Sequence, residues 1–192
     1  FLRLRAALRR LDVGEIHLGG GWVGFGTDEP LPTDPTAIGL DAFFEFPPHR
    51  LPAAEISGHL ESLSPNFTGK VYDYDSAISQ SLAQIEAGAT RHHAVMLGWD
   101  NTARNMRRAH VFHGATPAKL RRWLRGVLQR SRGHAPSDDR LVFINAWNEW
   151  AEGSYLEPDR DFGHGWLEAV ASAAAEPLSP EGQALPLAVP QR

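Results

Sequence analysis

Short apolar runs alternate along this chain with segments of helical periodicity, and this alternation restricts the possible folds more than any other feature. The predicted strands cover residues 15–18, 37–44, 70–74, 93–99 and 141–147. The predicted helices cover residues 2–11, 76–87, 117–129 and 165–175. Strands that alternate with helices favour an α/β fold with a mainly parallel sheet. The last three strands are continuously apolar, as expected where both faces of a sheet are covered.

The number of predicted strands indicates that the sheet is incomplete. Five strands are too few for a closed eight-stranded barrel, which takes about 250 residues. The pattern therefore fits half of a barrel or a small open sheet. The chain begins at Phe1, in what reads as the middle of a domain, so we expect a fragment whose missing start would carry any signal peptide. Residues 176–192 contain four prolines without periodicity and are predicted to form a disordered tail.

Composition argues against several classes of function. A formal net charge of -4, without a Lys/Arg-rich run, disfavours nucleic acid or an anionic membrane surface as a partner. No apolar stretch approaches the roughly 20 residues of a membrane span. The absence of cysteine excludes disulfides, thiolate catalysis and cysteine-bound zinc. His92 and His93 would lie on opposite strand faces, and His110 and His113 lack a third ligand at a recognisable spacing. We therefore predict no metal and no cofactor.

Residues 143–159 carry the densest group of chemically useful side chains. Two tryptophans, two asparagines, a tyrosine and three glutamates lie there. Aromatic faces cover the C–H side of a sugar ring, and amides and carboxylates hydrogen-bond its hydroxyls. Glycoside cleavage needs two carboxyl groups that flank one bond. Glu149 and Glu152 would share a face only if the chain makes a helical turn after Trp147, and Gly153 is compatible with a bend. The alternative is that the glutamates are solvated loop residues and the tryptophans belong to the core.

Polar and aromatic residues that follow other strands could line the same groove. Chemistry in barrels and in doubly wound sheets occurs at the carboxyl ends of the strands. Trp99 and Asp100 are candidates for stacking on a sugar and hydrogen-bonding it, and the alternative is a core tryptophan and a helix N-cap. Asp41 and Glu45 fit either the groove or a turn.

One motif resembles a known family. Residues 145–153, Asn-Ala-Trp-Asn-Glu-Trp-Ala-Glu-Gly, with the nearby Tyr-Leu-Glu-Pro-Asp, resemble the signature of WbsX-type proteins. These are described as glycosyltransferases of polysaccharide gene clusters and as similar to glycoside hydrolase family 99. Further blocks resemble the family in the same order, at residues 39–49, 69–74 and 98–104. The resemblance covers roughly residues 39–166. It implies a (β/α)8 TIM-barrel fold, of which residues 1–175 are an incomplete carboxy-terminal portion.

The resemblance also implies roles for the two glutamates. Family 99, the endo-α-mannosidases, has a similar Asn-Glu-Trp-His-Glu-Gly stretch. By this likeness Glu149 would assist attack by the substrate 2-OH through an epoxide-like route, and Glu152 would be the general acid/base. Ala151 stands where family 99 has histidine, so a contact near the acid/base is absent. The missing amino-terminal half of the barrel would bring its own substrate contacts. We predict that the following residues bind substrate: Trp99, Asp100, Asn101, Trp147, Asn148, Trp150 and Tyr155.

Three functions stay open, all with an oligo- or polysaccharide as the partner. The carboxylate pair favours a glycoside hydrolase-like mechanism that needs no cofactor. The family resemblance also allows a glycosyltransferase of cell-surface polysaccharide (O-antigen or lipopolysaccharide) biosynthesis, which we would expect in the bacterial cytoplasm. Residues 73–75 and 159–161 match the D-x-D pattern that holds a divalent cation under a sugar nucleotide. The third function is a sugar-binding module that has lost catalysis.

Overall fold

The computed structural model describes residues 1–23, 32–61, 63–85, 91–105, 107–131 and 141–177. The strands are β1 Gly19–Trp22, β2 Ala42–Glu45, β3 Lys70–Asp73, β4 Arg91–Met96, β5 Trp99–Asp100, β6 His110–His113, β7 Val142–Asn145, β8 Asn148–Glu149 and β9 Ser154–Tyr155. The helices are α1 Leu2–Arg10, α2 Tyr74–Ala83, α3 Thr102–Asn105, α4 Pro117–Ser131 and α5 Gly165–Ala175. Short 3-10 turns cover Pro35–Ile38, Ser57–His59 and Trp150–Glu152.

A parallel sheet forms the centre of the fold. Its strand order is β1-β2-β4-β7, and each neighbouring pair is parallel. A second sheet has the order β3-β6-β5, with β3 parallel and β5 antiparallel to β6. Parallel neighbours need crossover connections, and α4 lies in the connection between β4 and β7. The predicted mixed α/β class with a parallel sheet is confirmed. Within the described residues β1 and β7 are sheet edges, and the sheet does not close.

The hydrophobic core lies where α4 covers strand β4, with α2 and α5 packed against α4. Tyr74 and Trp123 are fully buried there, with ring centroids 5.7 Å apart. Both keep a partner for their polar atom, since the Tyr74 hydroxyl donates to the Met96 carbonyl at 2.6 Å and Trp123 Nε1 donates to Ser81 Oγ at 3.0 Å. A buried donor without a partner would cost roughly 1–3 kcal/mol. These bonds fix the end of β4 against α2 and α4.

Helix α4 forms largely as its sequence predicts. Thr116 Oγ1 accepts a hydrogen bond from the Lys119 backbone N–H at 3.3 Å and so caps the start of the helix. Pro117 occupies the first helical position, where a missing N–H is harmless. The apolar stripe is buried as expected: Leu120, Trp123, Leu124 and Val127. No helix in the described part of the chain is long and apolar enough to span a membrane.

Several predicted boundaries were wrong. The first strand covers Gly19–Trp22 rather than residues 15–18. The second strand begins at Ala42 because Asp34 caps a 3-10 turn that the apolar pattern conceals, with Asp34 Oδ1 accepting from the Thr36 N–H at 2.8 Å.

Other predicted elements divide or move. The run 93–99 forms β4 and then β5, which joins the second sheet. Helix α2 begins at Tyr74, earlier than predicted, because the Asp73 side chain accepts from the Ser76 N–H at 2.6 Å. Strand β6 was not predicted. Residues 86–87 of the predicted helix lie outside the described residues, as do residues 178–192 of the predicted disordered tail.

Helix α1 is attached at the amino-terminal ends of the first strands. Arg5 donates to the Gly39 carbonyl at 3.0 Å and to the Ile16 carbonyl at 3.2 Å, and it forms an ion pair with Asp41. Asp41 also accepts from the Leu18 N–H at 2.6 Å. The Leu18 hydrogen bond, followed by the Arg5 side chain, lowers the pKa of Asp41. Of the two roles considered for Asp41, these contacts support the structural one.

Candidate active site

The chain turns after β7 into a small hairpin that carries both candidate glutamates. Strands β8 and β9 are antiparallel, with Glu149 opposite Ser154 and the exposed Asn148 preceding it. The 3-10 turn Trp150–Glu152 connects them, and Gly153 ends this turn at a φ of 62°. That left-handed conformation favours glycine. From the sequence, Glu149 and Glu152 share a face only if the chain makes a helical turn after Trp147. The structure contains that turn.

Hydrogen bonds hold the hairpin at the carboxyl end of the parallel sheet. Ser154 Oγ, fully buried, donates to the carbonyl of Asn145, the last residue of β7, at 2.6 Å. The Asn145 side chain donates to the Pro47 carbonyl at 2.6 Å, which ties β7 to the segment after β2. The Leu156 N–H donates to the Trp147 carbonyl at 2.9 Å. The hairpin is thus fixed where parallel α/β folds place their chemistry.

Two glycines let the hairpin approach β5 closely. A Cβ atom added to Gly153 would lie 3.1 Å from the Asp100 nitrogen, and one added to Gly98 would lie 3.0 Å from the Gly153 carbonyl oxygen. Side chains at these positions would force the two segments apart. Because α3 follows β5 directly, this contact places α3 beside the turn that carries Glu152.

One arginine of α3 binds both candidate carboxylates. Arg104 Nη2 donates to Glu149 Oε1 at 2.8 Å, and Arg104 Nη1 donates to Glu152 Oε1 at 3.1 Å. The side chains of Arg104, Glu149 and Glu152 are 53%, 37% and 21% exposed. The planar guanidinium presents its donors in a fixed fork, which orients both carboxylates. The structure therefore brings Glu149 and Glu152 together on one accessible side of the hairpin.

Aromatic residues surround the carboxylates. Trp147 is 57% exposed and Trp150 is 49% exposed. Trp150 stacks on Tyr155 with ring centroids 3.7 Å apart, and its indole N–H donates to Glu157 Oε2 at 2.5 Å. Burial raises the pKa of Tyr155, and the charge and hydrogen bond of Asp159 raise it further, so the phenol stays protonated. Exposed indole faces of this kind suit the C–H side of a sugar.

The predicted substrate-binding residues of the β5 region have structural partners. Trp99 is 7% exposed and belongs to the hydrophobic core. Asp100 Oδ1 accepts from the Thr102 N–H at 2.9 Å, and Asn101 Oδ1 accepts from the His110 N–H at 2.7 Å. The structure thus favours the core and cap alternatives for Trp99 and Asp100. Asp100 and Asn101 position α3. Direct substrate contact by any of the three residues stays a prediction.

Glu45 faces its neighbouring strand. Glu45 Oε2 accepts from the Ala94 N–H at 3.0 Å, and its other oxygen lies 3.1 Å from both His93 Nδ1 and Arg91 Nε. Its side chain is 21% exposed. Both oxygens are engaged by β4, so Glu45 links β2 to β4. This supports a structural role for Glu45 within the described residues.

Three of the four D-x-D aspartates also have structural partners. Asp73 caps α2, and Asp75 forms an ion pair with Lys119 Nζ at 2.7 Å. Asp159 Oδ2 accepts from Trp166 Nε1 at 3.2 Å. In the part of the chain that the structure describes, no group of three or more His, Asp or Glu side chains is arranged to hold a metal ion.

Comparison with known proteins identifies the family. The family model described as Glycosyltransferase WbsX matches residues 2–170. The chain belongs to the WbsX family. Uncharacterised WxcX proteins of Xanthomonas campestris pv. campestris, from strains B100 and ATCC 33913, are each 37% identical to it over 171 residues. The match covers 89% of the WbsX-family chain and 24% of each relative, so the chain spans about a quarter of their length.

A solved structure shares the fold of this WbsX-family chain. A glycoside hydrolase-like protein superposes with a TM-score of 0.52 at 14% sequence identity, over 90% of the chain and 48% of the solved one. At that identity the likeness shows the fold alone. The predicted family recognition is confirmed.

Sequence reasoning did not single out Arg104 in the WbsX-family chain. Arg104 lies in the family-like block 98–104, but it is 45 residues from Glu149 and 48 from Glu152. No local periodicity connects positions so far apart. The sequence did offer one indication of such a residue: two neighbouring carboxylates repel each other, and a nearby cation offsets that repulsion.

Proposed function

We propose that this chain forms part of an enzyme that cleaves glycosidic bonds of an oligo- or polysaccharide, with Glu149 and Glu152 as the catalytic carboxylates. The observation that supports this most is the convergence of both carboxylates on Arg104 at the carboxyl end of the parallel sheet. Glycosidic cleavage requires two carboxyl groups near one bond. Trp147 and Trp150 lie in the same segment as the glutamates and are about half exposed. One face of Trp150 stacks on Tyr155, and the remaining exposed indole surface is available to a sugar.

The proposed reaction follows the route that the family 99 resemblance implies. Glu149 accepts the proton of the substrate 2-OH while that oxygen bonds to the anomeric carbon. Glu152 protonates the leaving oxygen as the glycosidic bond breaks. Water then adds to the anomeric carbon as the bond between that carbon and the 2-oxygen breaks. The water gives its proton to Glu152, and Glu149 returns its proton to the released 2-oxygen. Both carboxyl groups regain their starting states, and no cofactor is consumed.

We also propose that residues 1–175 are the carboxy-terminal part of a (β/α)8 barrel. Two observations support this: among the described residues β1 and β7 are edges of the sheet, and the chain covers 48% of its structural neighbour. In the intact protein the remaining strands would pair with these edges and complete the substrate groove.

A second candidate is a glycosyltransferase, which the description of the WbsX family favours. It would transfer a sugar from a nucleotide donor to a growing cell-surface polysaccharide. Three of the four D-x-D aspartates already have partners: Asp73 caps α2, Asp75 forms an ion pair with Lys119, and Asp159 accepts from Trp166. The D-x-D stretches therefore add little support to a transferase. A sugar-binding module would use the exposed tryptophans alone.

Product analysis on the intact parent protein distinguishes these functions. The protein is incubated with α-mannose-containing glycans, with and without sugar nucleotides, beside Glu149→Gln, Glu152→Gln and the control Glu168→Gln on the exposed side of α5. Release of free saccharide without nucleotide, reduced about 100-fold or more in both site variants but not in the control, supports the hydrolase.

The other outcomes are equally informative. Chain extension that requires a nucleotide makes the protein a transferase. Saccharide binding without turnover under either condition supports a binding module. Turnover that both site variants retain in full removes the carboxylate pair from the mechanism.

A further inference from the structure

A single guanidinium separates and orients the two candidate carboxylates. Two negative charges so close repel each other, and a cation between them offsets that repulsion. Arg104 reaches Glu149 and Glu152 through different nitrogens of one rigid plane. The direction and spacing of the two carboxylates are therefore coupled to the position of one side chain.

The position of Arg104 is set by contacts that do not involve the glutamates. The Arg104 N–H donates to the Asn101 carbonyl at 3.0 Å, and the Asn101 side chain accepts from the His110 N–H of β6. The Asp100 side chain caps the start of α3 through Thr102. Gly98, which precedes β5, lies close to Gly153 of the hairpin. The second sheet and the start of α3 thus hold Arg104 beside the hairpin independently of the two glutamates.

Stability alone does not account for this arrangement. Arg104 is more than half exposed, and exposed ion pairs contribute about 0–1 kcal/mol. A lysine would supply the charge without the planar pair of donors. The two donors of the planar Arg104 guanidinium fix the relative orientation of the two carboxylates.

We infer that Arg104 is a positioning residue, which fixes Glu149 and Glu152 in the relative placement needed for glycosidic chemistry. The inference rests on the proposed function. Arg104 acts through the carboxylates, so its loss misplaces them without removing either one. Misplacement of reacting groups by about 1 Å can cost about 100-fold in rate.

The test uses the intact protein and the saccharide that it turns over. We expect Arg104→Gln to lower kcat about 10–100-fold and to change KM less than about threefold. Arg104→Lys should recover only a small part of kcat, because it lacks the fork. Added guanidinium ion should restore part of the activity of Arg104→Ala but none to Glu152→Gln. Arg108→Gln, an exposed arginine near the same helix, is the matched control and should behave as wild type.

Crystal structures of the intact wild type and Arg104→Gln give a readout independent of turnover. The separation of the Glu149 and Glu152 carboxylates should change in Arg104→Gln and stay the same in Arg108→Gln. An unchanged separation overturns the inference, whether or not a substrate has been found. A kcat in Arg104→Gln within twofold of wild type, beside inactive glutamate variants, overturns it while the proposed function stands. A changed separation in a protein without glycosidic turnover supports positioning while the proposed function fails.

Discussion

Glu45 and the Glu149–Glu152 pair lie at the ends of strands of one fold, yet their surroundings differ in kind. Both oxygens of Glu45 are bound by groups of β4, including the Ala94 backbone N–H. The pair shares one arginine that is largely exposed to solvent. Glu45 uses both oxygens to join two strands, whereas Glu149 and Glu152 each meet Arg104 through one oxygen and stay partly exposed. Strand-end position alone therefore does not identify a catalytic carboxylate.

The largest effect on stability should come from Glu45→Gln. We expect the free energy of unfolding to fall by about 2 kcal/mol, because hydrogen bonds to a charged, partly buried group contribute about 1.5–3 kcal/mol. Urea denaturation of the wild type and the variant measures this change. Glu149→Gln, the same substitution in the other region, is the control and should cost far less. Equal losses in the two variants would erase the distinction between the regions.

Asp41 extends the comparison to the amino-terminal end of the sheet. We expect Asp41→Asn to lower the free energy of unfolding less than Glu45→Gln does and more than the site variants do. The Asp41 side chain bonds the Leu18 N–H and pairs with Arg5 but is partly exposed, so we expect a loss of about 1 kcal/mol after screening by solvent. The folded-state pKa of Asp41 lies below its ordinary value of 3.8. The folded protein therefore binds this proton less readily than the unfolded chain does.

The pH dependence of this loss has a definite sign. The contribution of the Asp41 carboxylate is fully present above pH 3.8, and it disappears as the pH falls through the lower folded-state pKa. Wild type and Asp41→Asn should differ in unfolding free energy at neutral pH and converge in acid. A difference that persists unchanged in acid would show that Asp41 stabilises the fold by something other than its charge.

Local sequence patterns predict the helices and strands. The roles of individual side chains depend on partners that are distant in the sequence. Helix α4 could be predicted because an apolar stripe and the Thr116 cap lie within one element. The hairpin turn could be anticipated from Gly153 and the glutamate spacing. The burial of Trp99 could not, since it depends on β5 leaving the main sheet to pair with β6. The cation between the glutamates comes from a segment 45 residues away from the nearer one, a distance over which sequence periodicity carries no information.

The smallest effect on stability should come from the double variant Glu149→Gln/Glu152→Gln. Both side chains are at least one-fifth exposed, and their partner Arg104 stays hydrated when they are neutralised. Exposed pairs of this kind contribute about 0–1 kcal/mol, and removing the mutual repulsion of the two carboxylates offsets part of that. We therefore expect urea denaturation to show a change near zero in a protein whose glycosidic turnover is lost. A site whose loss costs activity but not stability is maintained for chemistry. If the double variant instead loses as much stability as Glu45→Gln, the contact with Arg104 stabilises the fold. Glu149 and Glu152 would then have a structural role, as Glu45 does.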